Sequence, residues 1–583
     1  MSKSPRSQSA AGRTPRRGGK ATEGEGKAET PTRAAQAAES KGGAPAKRTT
    51  KSAASQSRKS AGTKAAPAKR GAAKTSSATA APEKRSAAKS TGTKTASTKR
   101  GAAKSTATSA KPADAATTAP VPPAAETPDH KEKIGSQLEA YRALAARYVE
   151  APFMFRPADL TGQARREHVR RTILEDHALR IDQRAHGTRD KFEKLAGSLF
   201  SFFRGTSLLF HRDMLGADAR MPTVLALGDV HPSNFGVMPN ADNVPIFGVN
   251  DFDDAIYAPF SWDLKRGATG FLIAAEEEGG HKRKRQKKIA RKFLRGYLDG
   301  IRHFARHETE IHAQMREDNA PKVIRRLFEE ARTKRADWLQ KRYLDDSGRG
   351  FRANDELTPI SSRRDEFQGL IDALAKANGI RPEGRAGTLR VKDVAMRHGQ
   401  GTASLGLPRY YCLLEGPSRD ASDDLIVEFK QARRSALEGL VPPHDFDAGT
   451  KAERIAHGQS VHLSDGDVFY GSAEIDGLSF MSRERAPFRE DIDLDDLSKK
   501  TWKRYAHACG WALALAHARS DDAGLLDYDI EESILEAVAP ERLFIEDTLR
   551  FAEEAVARMR QDQAYYRQDL KMGAFDATLH RYR

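Results

Sequence analysis

Cysteine is nearly absent: Cys412 and Cys509 are the only two in 583 residues. Two cysteines build neither a disulfide framework nor a paired-cysteine zinc site, the usage expected of a reducing cytoplasm. Long apolar runs are missing as well. The N-terminus carries no apolar core of a secretion signal and no stretch reaches membrane length, so neither export nor membrane insertion is expected. The first 130 residues are almost devoid of large apolar side chains and short of acid, with 26 Lys+Arg against 8 Asp+Glu. Such a segment buries too little surface to offset the entropy of ordering, and a disordered tail is expected over residues 1–130. The net charge of +18 lies wholly in that tail, because the remainder holds 72 charges of each sign. The high isoelectric point therefore says nothing about what the folded part binds.

Within the tail, Lys69–Lys74 and Lys99–Lys104 are the same hexamer (KRGAAK), and Lys84–Lys89 (KRSAAK) is a near copy. The texture resembles the lysine- and alanine-rich tails of linker histones. Spaced cations on a flexible chain bind nucleic-acid phosphates without sequence preference and with strong salt dependence. A cytoplasmic protein with nucleoid association is one expectation; a merely solubilising tail is the plainer alternative. From His130 to about Arg220 the apolar spacing is helical, as in Leu138, Tyr141, Leu144 and Tyr148.

The folded part is organised around Leu227–Gly236 (LGDVHPSNFG) and Phe247–Ala255 (FGVNDFDDA). In each, a short apolar run reads as a buried strand and a cluster of carboxylates and amides follows. Strand ends carrying Asp229, Asn234 and Asp251 can bring three oxygen ligands to one point, a sulfur-free set that suits Mg²⁺. Two polar turns with ordinary turn residues are the bland alternative. The next apolar segment, Trp262–Ala275, is expected to be a helix, and the run His281–Lys288 (HKRKRQKK) a solvated helical face.

Gly228-Asp229-Val230-His231-Pro232-Ser233-Asn234 resembles the catalytic loop of aminoglycoside- and choline-type phosphotransferases, the small-molecule branch of the protein-kinase-like fold. Gly248–Ala255 resembles their metal-binding strand and turn, and Trp262-Asp263-Leu264 the start of the following helix. The resemblance implies Asp229 as the base or hydroxyl-orienting residue and Asn234 and Asp251 as Mg²⁺ ligands. Asp263 is implied as a brace for the loop, and Asp253 is close enough in sequence to be a second metal ligand or an acceptor contact. The histidine that usually precedes the Gly-Asp pair is Leu227 here, and His231 reads as a hydrogen-bonding loop residue. From about Ala151 the chain also resembles a bacterial family catalogued as domain of unknown function 2252, through Phe203-Arg204-Gly205, Trp262–Arg266, Gly406–Tyr411 and Phe429–Ala432. That family implies no activity.

A second informative region starts at Thr388. Strand, glycine-rich turn (Gly399, Gly401, Gly406), strand, acidic turn and strand follow in order, with Lys430 ending the third strand. Kinases cover ATP phosphates with such a turn and contact them with a strand lysine. Glu438 and Glu453 are both candidate partners for Lys430. Val468–Tyr470 and Leu478–Met481 read as a hairpin, Ser482–Pro487 as a hinge, and Ile534–Arg567 as helix.

The order departs from an ordinary kinase, in which the glycine loop precedes the catalytic loop. Tyr505–His517 (YAHACGWALALAH) resembles the helix that leads into the catalytic loop, yet lies near the C-terminus. The expectation is an α+β, protein-kinase-like two-lobed fold, circularly permuted. Residues 131–387 would carry the catalytic loops, 388–487 the glycine-loop lobe, and 488–583 helices packing on the first part. The implied activity is ATP/Mg²⁺-dependent phosphotransfer to a small hydroxylated acceptor. A catalytically weak regulatory protein tethered to nucleic acid is the alternative. Phosphoester hydrolysis is a third reading, opposed by the lack of a Gly-Asn-His segment.

Overall fold

The computed structural model describes residues 138–150, 157–182, 187–330, 335–382, 387–398, 407–418, 421–442, 449–463, 465–487, 492–521 and 526–576. The chain divides into two units, 1–120 and 121–583, and every described residue belongs to the second. The basic tail thus lies outside the described residues.

Six helices open the second unit: α1 (Leu138–Glu150), α2 (Gly162–Asp176), α3 (Ala178–Asp182), α4 (Thr188–Gly197), α5 (Leu199–Gly205) and α6 (Ser207–Arg212). Four short strands follow, β1 (Thr223–Ala226), β2 (Phe235–Pro239), β3 (Pro245–Val249) and β4 (Ile256–Pro259), pairing as β1–β4 and β2–β3. Next come α7 (Phe260–Glu277), α8 (Arg283–His307), α9 (Lys322–Glu330), α10 (Arg335–Arg342), β5 (Leu357–Pro359) and α11 (Arg364–Ala377). Strands β6 (Val391–Arg397), β7 (Arg409–Leu414) and β8 (Leu425–Gln431) precede α12 (Lys451–His462), β9 (Gly471–Ile475) and β10 (Leu478–Glu484). Three helices close the chain: α13 (Thr501–Ala518), α14 (Ile530–Ala537) and α15 (Glu541–Lys571). The architecture is mixed α+β. Among the described residues no helix is long and apolar enough to cross a membrane.

Strands β5–β10 form one antiparallel sheet in the order β5-β6-β7-β8-β10-β9. Alternate side chains of a strand face opposite sides, so a central strand must satisfy two cores. Strand β7 does this: Tyr410, Cys412 and Leu414 join a core under α11, while Tyr411 and Leu413 join another under α10 with Trp338 and Leu339. The sheet body therefore takes in β5, α10 and α11, which the sequence reading left with the helical region. The hairpin also differs from expectation, because its first strand is Gly471–Ile475. Val468–Tyr470 instead forms a turn over Asp467, whose carboxylate accepts from Phe469 N at 3.0 Å and Glu484 N at 2.5 Å. Of the expected hinge, Ser482–Glu484 continues β10 and pairs with Phe429–Val427 of β8.

The helical body is centred on α7, α8 and α13. Helix α8 turns Ile289, Phe293, Tyr297, Ile301 and Phe304 inward at three- and four-residue spacing. Its basic start is partly neutralised by α15, with Arg283 and Lys287 on Glu553. Where α8 crosses α13 the backbones touch: a β-carbon on Gly510 would meet the Phe293 carbonyl, and one on Gly296 the His507 carbonyl. At the outer edge, Arg165 of α2 is 3% exposed and bonds Asp213 and Asp562, tying α2 to α15.

Overpacking at so close a crossing is destabilising. Gly510→Ala is expected to lower stability by about 1–3 kcal/mol, read as a lower urea midpoint with an unchanged m-value.

Candidate functional site

The loop after β1 is shaped by one glycine and one buried carboxylate. Gly228 has φ +77°, and a β-carbon there would lie 2.7 Å from the Asp254 carbonyl oxygen. That left-handed turn presents two successive N–H groups to Asp263, in the first turn of α7. Leu227 N donates to Asp263 Oδ2 at 2.7 Å and Gly228 N to Oδ1 at 2.9 Å. His517, at the end of α13, adds a third bond at 3.0 Å through Nε2. A carboxylate only accepts, so Nε2 carries a proton, and Nδ1 lies 2.9 Å from Tyr297 OH. Beside this, Leu225 N donates to Ser520 Oγ at 3.1 Å, and Tyr528 OH donates to the Thr223 carbonyl. The C-terminal end of α13 and the start of the loop are neighbours.

Asp229 follows with its side chain 12% exposed. Arg266, fully buried on α7, donates to Oδ1 from Nε at 3.0 Å and Nη2 at 2.7 Å, its guanidinium stacked over Phe203. Burial pushes the Asp229 carboxyl up to about 6; Arg266 opposes the shift, and Asp254 and Asp251 add to it. His231 is buried, with Nε2 3.8 Å from Asp229 Oδ2 and Nδ1 accepting from Ser233 N at 3.2 Å. Desolvation, with Arg204 and Arg266 nearby, holds it well below the usual imidazole range, so the ring is neutral. Asn234 donates from Nδ2 to the Asp229 carbonyl at 2.7 Å, leaving Oδ1 as its acceptor.

The second loop meets the sheet body. Lys430 Nζ lies 2.6 Å from Asp253 Oδ2 and 3.8 Å from Asp251 Oδ1. Burial alone would raise the Asp253 carboxyl, but Lys430 and Arg433 outweigh it and bring it down to about 2. Arg433 pairs with Asp254 at 3.0 Å, while Ala436 N donates to Asp254 Oδ1 at 2.9 Å. From α12, Arg454 donates to the carbonyls of Asp253, Ala255 and Arg433. Strand β8 and helix α12 thus clamp the carboxylate loop that follows β3.

The expected residues Asp229, Asn234, Asp251, Asp253, Asp263 and Lys430 therefore lie around these two loops. Glu453 is a correction. Its backbone N–H donates to Thr450 Oγ1, and its carboxylate accepts from Thr450 N at 2.7 Å, closing the N-terminus of α12 as a capping box. The carboxylates on Lys430 are those of the loop itself. Gly399, Gly401 and Gly406 lie outside the described residues. Arg266, Arg433, Arg454 and His517 were not singled out from sequence, although Arg266 stands in the quoted Trp262–Arg266 segment and His517 ends the quoted helix.

Among the described residues no set of three or more His, Cys, Asp or Glu is arranged to hold a metal ion. Asp251, 29% exposed, and the Asn234 amide oxygen supply two hard donors, a set that suits Mg²⁺ retaining waters and substrate phosphates. Asp253 is taken up by Lys430.

Residues 184–569 match the model of a family described as "Uncharacterized protein conserved in bacteria (DUF2252)", and the chain belongs to that family. No curated protein and no solved structure matches the chain.

The Lys430–Asp253 pair is 6–7% exposed. Breaking such a pair leaves an uncompensated buried charge, and Lys430→Met is expected to lose about 3 kcal/mol at pH 7. Asp253 is depressed in the fold, so its stabilisation is full above pH 4 and fades as pH falls toward about 2. The stability gap between wild type and variant, followed by urea titration, should narrow across that window.

Proposed function

We propose that this DUF2252 member is an ATP- and Mg²⁺-dependent phosphotransferase acting on a small hydroxylated acceptor, in a circularly permuted kinase-like arrangement. The observation that carries the reading is Lys430: a lysine on a central strand of the sheet body reaches the carboxylates after β3, 2.6 and 3.8 Å away. Phosphoryl transfer asks the protein for positioning and charge neutralisation, and a strand lysine beside a carboxylate loop provides both. The permuted order draws support from α13, whose C-terminal end bonds both the loop strand, through Ser520, and the loop brace, through His517.

In this reading Lys430 exchanges its carboxylate partners for nucleotide phosphate oxygens. Asp251 and Asn234 would hold Mg²⁺, which supplies charge neutralisation at the phosphates. Asp229 accepts a hydrogen bond from the acceptor hydroxyl and orients it, and Arg266 fixes the Asp229 carboxylate in place. Asp263 and His517 hold the backbone on which Asp229 stands.

Thermal unfolding of the full chain with ATP, with and without Mg²⁺, tests the proposal. At ATP about a hundredfold above its dissociation constant the stabilisation should be about 2.7 kcal/mol. It should require Mg²⁺ and disappear in both Lys430→Ala and Asp251→Ala. No shift under any condition removes the ATP reading and leaves a regulatory binding protein in its place.

Should an acceptor be found, the working form of Asp229 is the carboxylate. The carboxyl titrates near 6, so kcat/KM is expected to rise with pH through that value and then level off. An Asp229→Asn variant should lose that limb together with about 10²–10⁴-fold in rate.

A further inference from the structure

On the α10 side of the sheet, the apolar core gives way to a line of charged side chains set by strand register. Residues directly opposite in neighbouring antiparallel strands share a face. Tyr411 of β7, Glu428 of β8 and Arg483 of β10 form one such row, and Arg409, Lys430 and Met481 the next. Arg483 and Lys430 are therefore diagonal neighbours on one face, a separation that two long side chains span. Lys430 meets Asp253 and Asp251 directly, and the charge of Arg483 is felt at both.

Glu428 fixes where Arg483 points. It is buried, accepts from Arg483 Nε at 2.6 Å, and lies 2.8 Å from Arg409 Nη1 through its other oxygen. Burial alone would raise the Glu428 carboxyl, but Arg409, Arg483 and Arg485 outweigh it and hold it well below the usual carboxylate range. One carboxylate thus serves three guanidinium groups, and positive charge is left over. That surplus has a definite location. Arg483 uses only Nε on Glu428; among the described residues neither of its Nη groups makes a hydrogen bond, and the side chain is 15% exposed. A planar fork of two unbonded donors matches two oxygens of a phosphate group.

We propose that Arg483 is a phosphate-binding residue of this site. With Nε held by Glu428, Nη1 and Nη2 take two oxygens of one phosphate group of an oligophosphate chain, and Lys430 takes an oxygen of the neighbouring group. The ligand class rests on the phosphotransfer reading, whereas the fork itself needs no nucleoside. Arg483 stands in the segment Ser482–Pro487 that reads as a hinge in the sequence, and pairing of β10 with β8 turns it onto the face of Lys430 instead.

Thermal unfolding of the full-length protein with inorganic tripolyphosphate, and separately with ATP and Mg²⁺, tests the assignment. Anion binding by the basic tail is common to every variant and cancels in the comparison. The wild-type midpoint should rise with tripolyphosphate concentration in the absence of Mg²⁺. Arg483→Met should need about 10–100-fold more tripolyphosphate for the same rise, the loss expected of hydrogen bonds to a charged group. Arg483→Lys keeps a cation beside Glu428 but lacks the fork, and should still need about tenfold more; it carries the comparison if the Met variant does not fold. Arg390→Met removes an exposed arginine of the same sheet body, paired with Glu415, and should match wild type. A response to tripolyphosphate but not to ATP supports Arg483 in this role while removing the nucleotide. No response of wild type to tripolyphosphate, an equal response in the folded Arg483 variants, or a loss of the same size in Arg390→Met would each overturn the inference. An ATP shift that still needs Lys430 and Asp251 would then leave the phosphotransfer reading standing without it.

Discussion

A single buried carboxylate, Asp263, sets the geometry of the site. It has no exposed surface, and a charge in that position survives only if hydrogen bonds replace its hydration. Three donors do so, two from the backbone of one loop and one from a histidine 254 residues away in sequence. The positive dipole end of α7 adds to them, because Asp263 sits in its first turn. The loop cannot move without stripping that charge of its partners, and Asp229 is the next residue along it. Placement of the Asp229 carboxylate is thus inherited from a neighbour that is itself sealed from solvent.

The second constraint is electrostatic registration between the sheet and the carboxylate loop. Lys430, Arg433 and Arg454 come from β8, the residues after it, and α12, and all three end on Asp253–Ala255. Buried pairs of this kind add little stability relative to well-packed apolar side chains, but a misplaced partner leaves an unpaired charge. They hold the loop against the sheet at one registration. The opposite shifts of Asp229 and Asp253 follow from the same arrangement: desolvation raises both, but at Asp253 Lys430 and Arg433 outweigh it, whereas at Asp229 Arg266 is outweighed because Asp254 and Asp251 add to the desolvation.

Much of this was legible in the chain. The strands around Val224–Leu227 and Ile246–Val249 are apolar runs cut by turn residues, as are β7 and β8, and helical spacing marks α8. Local signals of that kind survive in one sequence. Partnership is another matter. Nothing near Lys430 in sequence indicates that its counter-ion lies 177 residues earlier, and the cap-forming sequence Thr450–Glu453 mimics a plausible partner while doing local work. His517 was visible only as the last residue of an apolar helix. The hairpin strand was misplaced by a few residues because Val468–Tyr470 is apolar, yet Asp467 bends it into a turn.

Arg165 gives the fold a temporal asymmetry. It lies near the start of the described chain, is nearly dry, and shares its charge with Asp562, 397 residues further on. A ribosome moving at about 5–20 residues per second needs about 20–80 s to cover that distance. During that interval the arginine has Asp213, 48 residues on, as its partner, while its bonds to Asp562 form only once the last described helix is made, as the Asp229 loop waits on His517. The packing of α2 is completed only when α15 docks, and a nascent product ending before α15 leaves that face of α2 uncovered and Arg165 with Asp213 alone.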